Sequence, residues 1–346
     1  VGGAAVSLAT AVPVPSGPDA GAPWHYGDPV AEQRTWLAAR GAVDLSARGV
    51  VRVGGADRLS WLDSLTSQRL VDLAPGVATE TLLLSPHGHV ELALHVVDDA
   101  TTTWLTTEAG SAPALVEFLD RMRFLLDVTV QDVSGEFAVV GEPSRDPVAP
   151  AGGVVWVDPW PVTAPGGAAY GPPDDDHPGR DWAHREVLLP REEAAQRLAA
   201  HIGDGTAVGL WAWEALRVAA ARPRQGFETD HRTIPHEVDW LRTAVHLSKG
   251  CYRGQETVAR VHNLGHPPRR LVLLQLDGSQ AQLPSRHDAV HTAQDPDGRP
   301  VGLVTTPARH HELGPVALAL VRRSLPLDTV LVAGGVAAAQ EELVAP

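Results

Sequence analysis

The chain has one cysteine and one methionine in 346 residues. A lone cysteine cannot close an intramolecular disulfide, so this is not a disulfide-stapled scaffold, and a reducing compartment, the cytoplasm, is expected. No uninterrupted apolar run reaches the ~18 residues that a membrane-spanning helix needs, so no membrane span is expected. Positive charge is also scarce: 28 Lys and Arg stand against 42 Asp and Glu, for a formal net charge of -14. With no basic block to offset it, that charge repels phosphate backbones and anionic lipid, and neither nucleic acid nor a membrane is expected as a partner. A full GxGxxG, a Walker A sequence, HExxH and GxSxG are all absent, which removes support for nucleotide binding, zinc-protease and serine-hydrolase chemistry. No repeat of 20–50 residues marks a solenoid or propeller.

What is present is an ordinary globular composition, 44% hydrophobic and 20% charged, long enough for two or three domains. Residues 1–27 open with Ala, Val, Pro and Gly, without the basic start and apolar stretch of a secretory signal, and read as a flexible arm. From Gly49 to Val130 the pattern gives a strand at 50–53 and a helix carrying Leu59, Leu62 and Leu65, with Asp57 as N-cap. Strands at 79–85 and 89–97 follow, joined through Pro86-His87-Gly88, then one at 101–107, a helix at 114–126 and a strand at 128–131. The order β-α-β-β-β-α-β belongs to an α+β domain with helices on one side of a mostly antiparallel sheet. Runs at 136–141 and 154–157 are expected to extend or flank that sheet. Residues 161–181, with five Pro, four Gly and Asp174-Asp175-Asp176, read as an exposed linker. Helices are expected at 190–200 and 206–221, then a polar stretch to residue 265. Short β-branched runs between Gly, Pro and Asp turns over 266–346 predict an all-β barrel.

Three features carry candidate chemistry. Cys251 lies in a short polar loop with Gly250 and Gly254 nearby, where Lys249 and Arg253 would favour a thiolate; the alternative is a small buried side chain. Glu214 falls in AVGLWAWEALRVAAA, apolar nearly all the way round, so its carboxylate needs partners. Arg217 at i+3 supplies an ordinary ion pair, or Glu214 accepts two adjacent N–H donors such as those on the 2-amino-4-oxo edge of a pterin. His87, His89, His231, His236, His310 and His311 do not form a three-ligand set and read as solvated turn residues, so no metal is expected.

The segment 249–260, KGCYRGQETVAR, resembles the signature of the YgfZ family of folate-binding proteins, a K-G-C-[FY]-x-G-Q-E loop. Lys249, Gly250, Cys251, Tyr252, Gly254, Gln255 and Glu256 all match it. Residues 51–70, 213–237 and 300–321 look like segments of the same superfamily, which includes the T-protein of the glycine cleavage system. The resemblance implies three domains around a central cavity: two interleaved α+β domains over 28–265 and a β-barrel over 266–346. It implies tetrahydrofolate, or a derivative, as the cofactor, with contacts at Glu214 and Arg217. It further implies an accessory role in iron-sulfur cluster assembly or repair, in which Cys251 is the functional thiol and the partners are client enzymes or the assembly machinery; a monomer is expected. T-proteins carry adjacent aspartates after a Gly-Gly on the second hairpin strand, whereas this chain reads His87-Gly88-His89-Val90-Glu91-Leu92. A folate-dependent aminomethyl transferase with Glu91 as acid–base group is therefore the alternative. A cysteine hydrolase pairing Cys251 with His246 or His262 is a third reading.

Overall fold

Alternation builds the first sheet: Leu92, Leu94 and Val96 face one way, and Ala93 and His95 the other. The computed structural model describes residues 11–279 and 282–345. In chain order, β1 (Val12–Pro13) and β2 (Pro23–His25) form a hairpin. Next come α1 (Pro29–Leu37), β3 (Ala42–Asp44), β4 (Gly49–Gly54), α2 (Arg58–Leu65), β5 (Ala78–Leu84), β6 (Val90–Asp98), β7 (Thr102–Thr107), α3 (Ala112–Met122) and β8 (Thr129–Asp132). They are followed by β9 (Phe137–Glu142), β10 (Val154–Val157), β11 (Arg185–Pro190), α4 (Arg191–Gly203), β12 (Ala207–Val208), α5 (Leu210–Ala219) and α6 (Gln255–Leu264).

The first sheet has the order β5-β6-β7-β4-β8 and is antiparallel throughout. Its apolar face packs Val51, Val53, Leu94 and Leu105 under Trp61, Leu62, Leu115 and Leu119 of α2 and α3. The predicted element order is realised here. Asp57 sits at the N-cap of α2, but its side chain makes no capping bond; the carboxylate accepts the Asp127 N–H instead. Helix α3 stops at Met122, short of the expected residue 126, and Phe124 and Leu125 project into solvent.

The second sheet has the order β10-β11-β9-β3-β12. Of the expectation that strands at 136–141 and 154–157 extend or flank the first sheet, only the flanking half holds: Trp156 of β10 stacks on His95 of β6 at 3.7 Å, but the strands build a separate sheet. The reason is that β9 is apolar on both faces, Ala138 and Val140 toward α4 and Val139 toward α5, which suits a central strand covered on two sides. This sheet takes β3 from before the first sheet's strands and β9–β12 from after them, so the two units are interleaved. The last unit is a closed barrel of β13 (Arg269–Leu276), β14 (Ala289–Thr292), β15 (Gly302–His310), β16 (Gly314–Arg322), β17 (Leu331–Ala333) and β18 (Val336–Glu342).

Two segments read as loose are pinned. Residues 11–27 of the expected flexible arm fold against the body, with Trp24 stacked on Trp211 at 5.6 Å; residues 1–10 of that arm lie outside the described residues. Within the expected linker 161–181, Asp174 accepts from Thr163 and Arg242, and the Tyr170 N–H donates to Asp239. These carboxylates hold the loop because Arg242 is fully buried and needs them. His177, at the end of the acidic run, is buried too, and so is His236, unlike the solvated turn residue expected. No helix among the described residues is long and apolar enough to cross a membrane.

Burial pushes the His236 and His177 imidazoles down to about 4. A base whose folded pKa lies below its unfolded one lets the unfolded chain take up the proton first, so stability held at neutral pH is lost as pH falls from about 6.5 toward 4. The expected loss is roughly 1–3 kcal/mol for each histidine. Urea unfolding of the wild-type chain and of His236→Gln at several pH values checks this: the variant should show a shallower dependence, and an equal slope counts against it.

Candidate functional site

The two sheets, α5 and the barrel meet at a cluster of buried charge. Four arginines anchor it. Arg48, in the turn between β3 and β4, bonds Glu186 of β11 and lies 3.7 Å from Glu108. Arg222 donates to Glu80 of β5 at 2.7 Å and to Asp158 at 3.1 Å. Arg217 joins Glu214 at 2.7 Å to Glu228 at 2.9 Å and donates to Thr306 of the barrel at 3.1 Å. Arg224 serves Glu108, Glu214 and Asp19 together. Burial works against the Glu108 carboxylate, but Arg224 and Arg48 outweigh it and hold its pKa below the usual range. Burial, reinforced by Arg48 and Arg222, drives His95 and His184 well below their ordinary value, so both imidazoles are neutral at physiological pH.

The enclosed space among these groups is about 30 Å³, room for one water molecule. Around it Arg48 Nε, Trp213 Nε1, Trp240 Nε1 and both ring nitrogens of His184 are buried with no hydrogen-bond partner among the described residues. Buried polar atoms are ordinarily paired, so this set is open to hydrogen-bonding groups from outside the chain, water included. Three of the five are N–H donors by nature, and neutral His184 adds one donor and one acceptor. Such a set fits the carbonyl and ring-nitrogen acceptors of a pterin, the head of the cofactor that the sequence resemblance implies. A ring of that size enters only as side chains at the wall give way.

Glu214 and Arg217 are brought together as an ion pair. Arg217 takes Oε2 of Glu214 through two donors, and Arg224 takes Oε1 at 3.0 Å. Three donors thus occupy Glu214, which leaves acceptor capacity on Oε1 for one further N–H, while a two-donor ligand edge requires an arginine to move.

Cys251 is exposed, and the motif around it is legible as mechanics. Lys249, the chain's only lysine, spends its ammonium on the body of the protein. Its ammonium donates to the carbonyls of Asp63, Thr66 and Gln68, with the Asp63 carboxylate at 3.4 Å. Those carbonyls lie in the last turn of α2 and just past it, where unpaired acceptors and the helix dipole draw a cation. Burial pushes Lys249 down to about 8 in spite of Asp63. Tyr252 is buried in the core with the Lys249 ammonium 5.3 Å from its ring. Gly254 has φ +85, and a Cβ there would lie 2.6 Å from the Ser85 carbonyl, so only glycine lets α6 begin against the β5–β6 turn. Gln255 opens α6 with its N–H on the Tyr252 carbonyl, Glu256 is exposed beside it, and Gly250 has open space around it.

Arg253, the other cation expected to favour a thiolate, instead pairs with Glu91 at 2.9 Å. That pair ties the loop to β6, whose Ala93 and His95 line the chamber. The β5–β6 register shifts at Glu91, with Leu83 opposite Leu92 and Leu84 opposite Val90, so the Glu91 side chain leaves the face of Ala93 and His95 and lies beside Leu92, Phe118 and Met122, with Arg253 over the Phe118 ring. Of the two histidines offered as a base for Cys251, His246 accepts the Ser248 N–H at Nδ1 and His262 Nδ1 meets the Tyr170 hydroxyl at 3.1 Å. Among the described residues, no group of three or more His, Cys, Asp or Glu side chains is arranged to hold a metal ion.

Sequence reading missed Arg48, Glu80, Glu108, Asp158, Glu186, Arg222 and Arg224. The one local signal was Arg222-Pro223-Arg224 at the end of an apolar helix; the partners are remote in sequence.

With this geometry in hand, likeness to known proteins is informative. No family model matches the chain. It is 29% identical to an aminomethyltransferase of Synechococcus sp. (strain RCC307) over 321 residues, 86% of this chain and 83% of that protein. It is 26% identical over 284 residues to a protein of Arabidopsis thaliana described as a chloroplastic transferase, covering 76% of this chain but 61% of the relative, less than two thirds of its length. It is 26% identical over 144 residues to the tRNA-modifying protein YgfZ of Aliivibrio fischeri, 41% of this chain and 45% of that one. The crystal structure of the glycine cleavage system aminomethyltransferase T from Bartonella henselae aligns with a TM-score of 0.76 at 18% identity, over 96% of this chain and 93% of that one. The fold is that of the T-protein. The relatives support membership of the T-protein superfamily, and the likeness to YgfZ is partial.

Replacing Lys249 by Met keeps its length and removes the ammonium, leaving buried carbonyls without a donor. The expected loss is about 1–3 kcal/mol of stability, with faster amide exchange over 249–256; urea unfolding and hydrogen exchange check both. An unchanged loop contradicts the clamp.

Proposed function

We propose that this chain is a tetrahydrofolate-binding accessory protein for iron-sulfur cluster assembly or repair in client enzymes. On this reading the folate head is held in the chamber and the Cys251 thiol works at its mouth. The observation that carries it is the placement of the only thiol: in water, on a loop clamped by Lys249 and fastened through Arg253 and Glu91 to the strand that lines the chamber. A cysteine used for packing is buried, whereas one presented on a braced loop is available to a client or to a folate-borne group. Cluster ligation usually takes about four cysteines, so a single thiol cannot hold a cluster and the metal chemistry belongs to the client. A lone exposed thiol fits a reducing compartment such as the cytoplasm.

In the chamber, Arg48, Trp213 and Trp240 offer donors, and His184 offers a donor and an acceptor. Tetrahydrofolate, when bound, supplies an amine that carries one-carbon units. The chain's own part is to bind and orient it, with His95 and His184 kept neutral so that neither adds a positive charge beside the ligand.

A second reading, a folate-dependent aminomethyl or other one-carbon transferase, is favoured by the long similarity to aminomethyltransferases. Its acid–base group is Glu91, which is paired with Arg253 on the α3 side of β6 and has to turn to reach the chamber.

Complementation separates the two. Cys251→Ala should abolish rescue of iron-sulfur enzyme activity in cells lacking the protein while leaving folate affinity within about twofold, because the thiol is not among the donors that line the chamber. Undiminished rescue overturns the accessory role. Turnover of an aminomethyl donor that falls ~10²-fold or more in Glu91→Ala would establish the transferase instead.

A further inference from the structure

Arg224 faces three carboxylates. Its Nε and Nη2 bond Glu108 at 3.0 and 2.7 Å, Nη1 bonds Glu214 at 3.0 Å, and Nη1 and Nη2 bond Asp19 at 2.7 and 2.8 Å. Glu108 follows β7 and Glu214 sits in α5, both part of the rigid wall. Asp19 is of another kind: it arrives from 205 positions away in the sequence, on the tip between β1 and β2. Around it Ser16, Gly17, Pro18, Ala20 and Gly21 are exposed. Gly17 and Gly21 have φ +94 and +89, and an added Cβ at either would meet nothing within 4 Å. The base of the hairpin is fastened differently, through the Trp24–Trp211 stack and the close approach of Gly209 to the Trp24 backbone. The tip thus reaches the chamber through one carboxylate while its base stays tethered.

We propose that the Arg224 side of the chamber is a carboxylate-binding subsite, that Asp19 fills it in the ligand-free chain, and that a carboxylate-bearing ligand takes Asp19's place. The ligand class rests on the folate reading above, since a folate carries carboxylates on its glutamate tail; the subsite itself does not. Breaking a buried ion pair is ordinarily costly because it strands a charge. Here release of Asp19 leaves Arg224 still paired with Glu108 and Glu214, while Asp19 returns to water. The incoming carboxylate meets the same positive field that acts on Asp19, from Arg224 first and then Arg48 and Arg217. A tethered occupant competes at high effective concentration, so its presence lowers the apparent affinity for any free carboxylate by the fraction of time that the subsite is filled.

The test uses the full chain with two probes, p-aminobenzoylglutamate for the carboxylate alone and 5-formyltetrahydrofolate for the folate. Asp19→Asn is expected to raise affinity for both by about tenfold or more. In the unmodified chain, saturation with either probe is expected to speed amide exchange over residues 16–21, a measurement that stands even if the variant folds poorly. Equal affinities together with unchanged exchange at the tip overturn the subsite. If p-aminobenzoylglutamate gains affinity in Asp19→Asn while 5-formyltetrahydrofolate binds neither protein, the subsite stands and the folate reading falls.

Discussion

A guanidinium taken out of water needs acceptors around it, and at the junction of this chain's units carboxylates supply them. Arg48, Arg217, Arg222 and Arg224 are all buried, and their partners come from both sheets, from α5 and from the loop that leads to the barrel. Loss of one partner leaves a charge that the low-dielectric interior does not tolerate, at a cost of about 3–5 kcal/mol. The sheets are therefore held in one relative position by charge as well as by the apolar clusters on their outer faces. Glu228 extends the same network into the barrel, where Thr305 and Thr306 donate to it.

The same constraint shapes the chamber. Side chains engaged with one another leave space for little more than a water molecule, yet several donors around that space have no partner. A wall that is rigid at Glu108 and Glu214 and tethered at Asp19 combines pre-organisation with one movable element. Beside it, the Cys251 loop gains its rigidity from different physics: an ammonium over the end of α2, a tyrosine in the core and a glycine where no side chain fits. The Glu91–Arg253 pair fastens this loop to β6, the strand whose Ala93 and His95 line the chamber.

Periodicity revealed much of this fold. The β-α-β-β-β-α-β run and the barrel follow from alternation and turn residues, and the KGCYRGQE loop marked the thiol. The cage was hidden because nothing local announces it: Glu80 lies 142 residues from Arg222, and Asp19 lies 205 from Arg224. Lys249 and Arg253 were legible as charges near a cysteine, but their partners, carbonyls past α2 and a carboxylate on β6, exist only once the chain is folded. The 161–181 loop shows the same limit. Its proline and glycine content predicted exposure, and Arg242, far along the chain, pins it through Asp174.

The most direct test of the account is hydrogen exchange of the full chain with and without saturating 5-formyltetrahydrofolate. The account predicts protection concentrated in β6, in α5 and in residues 222–225, the segments that surround the unpaired donors. Binding without protection in those segments, or protection confined to the barrel surface, would contradict it.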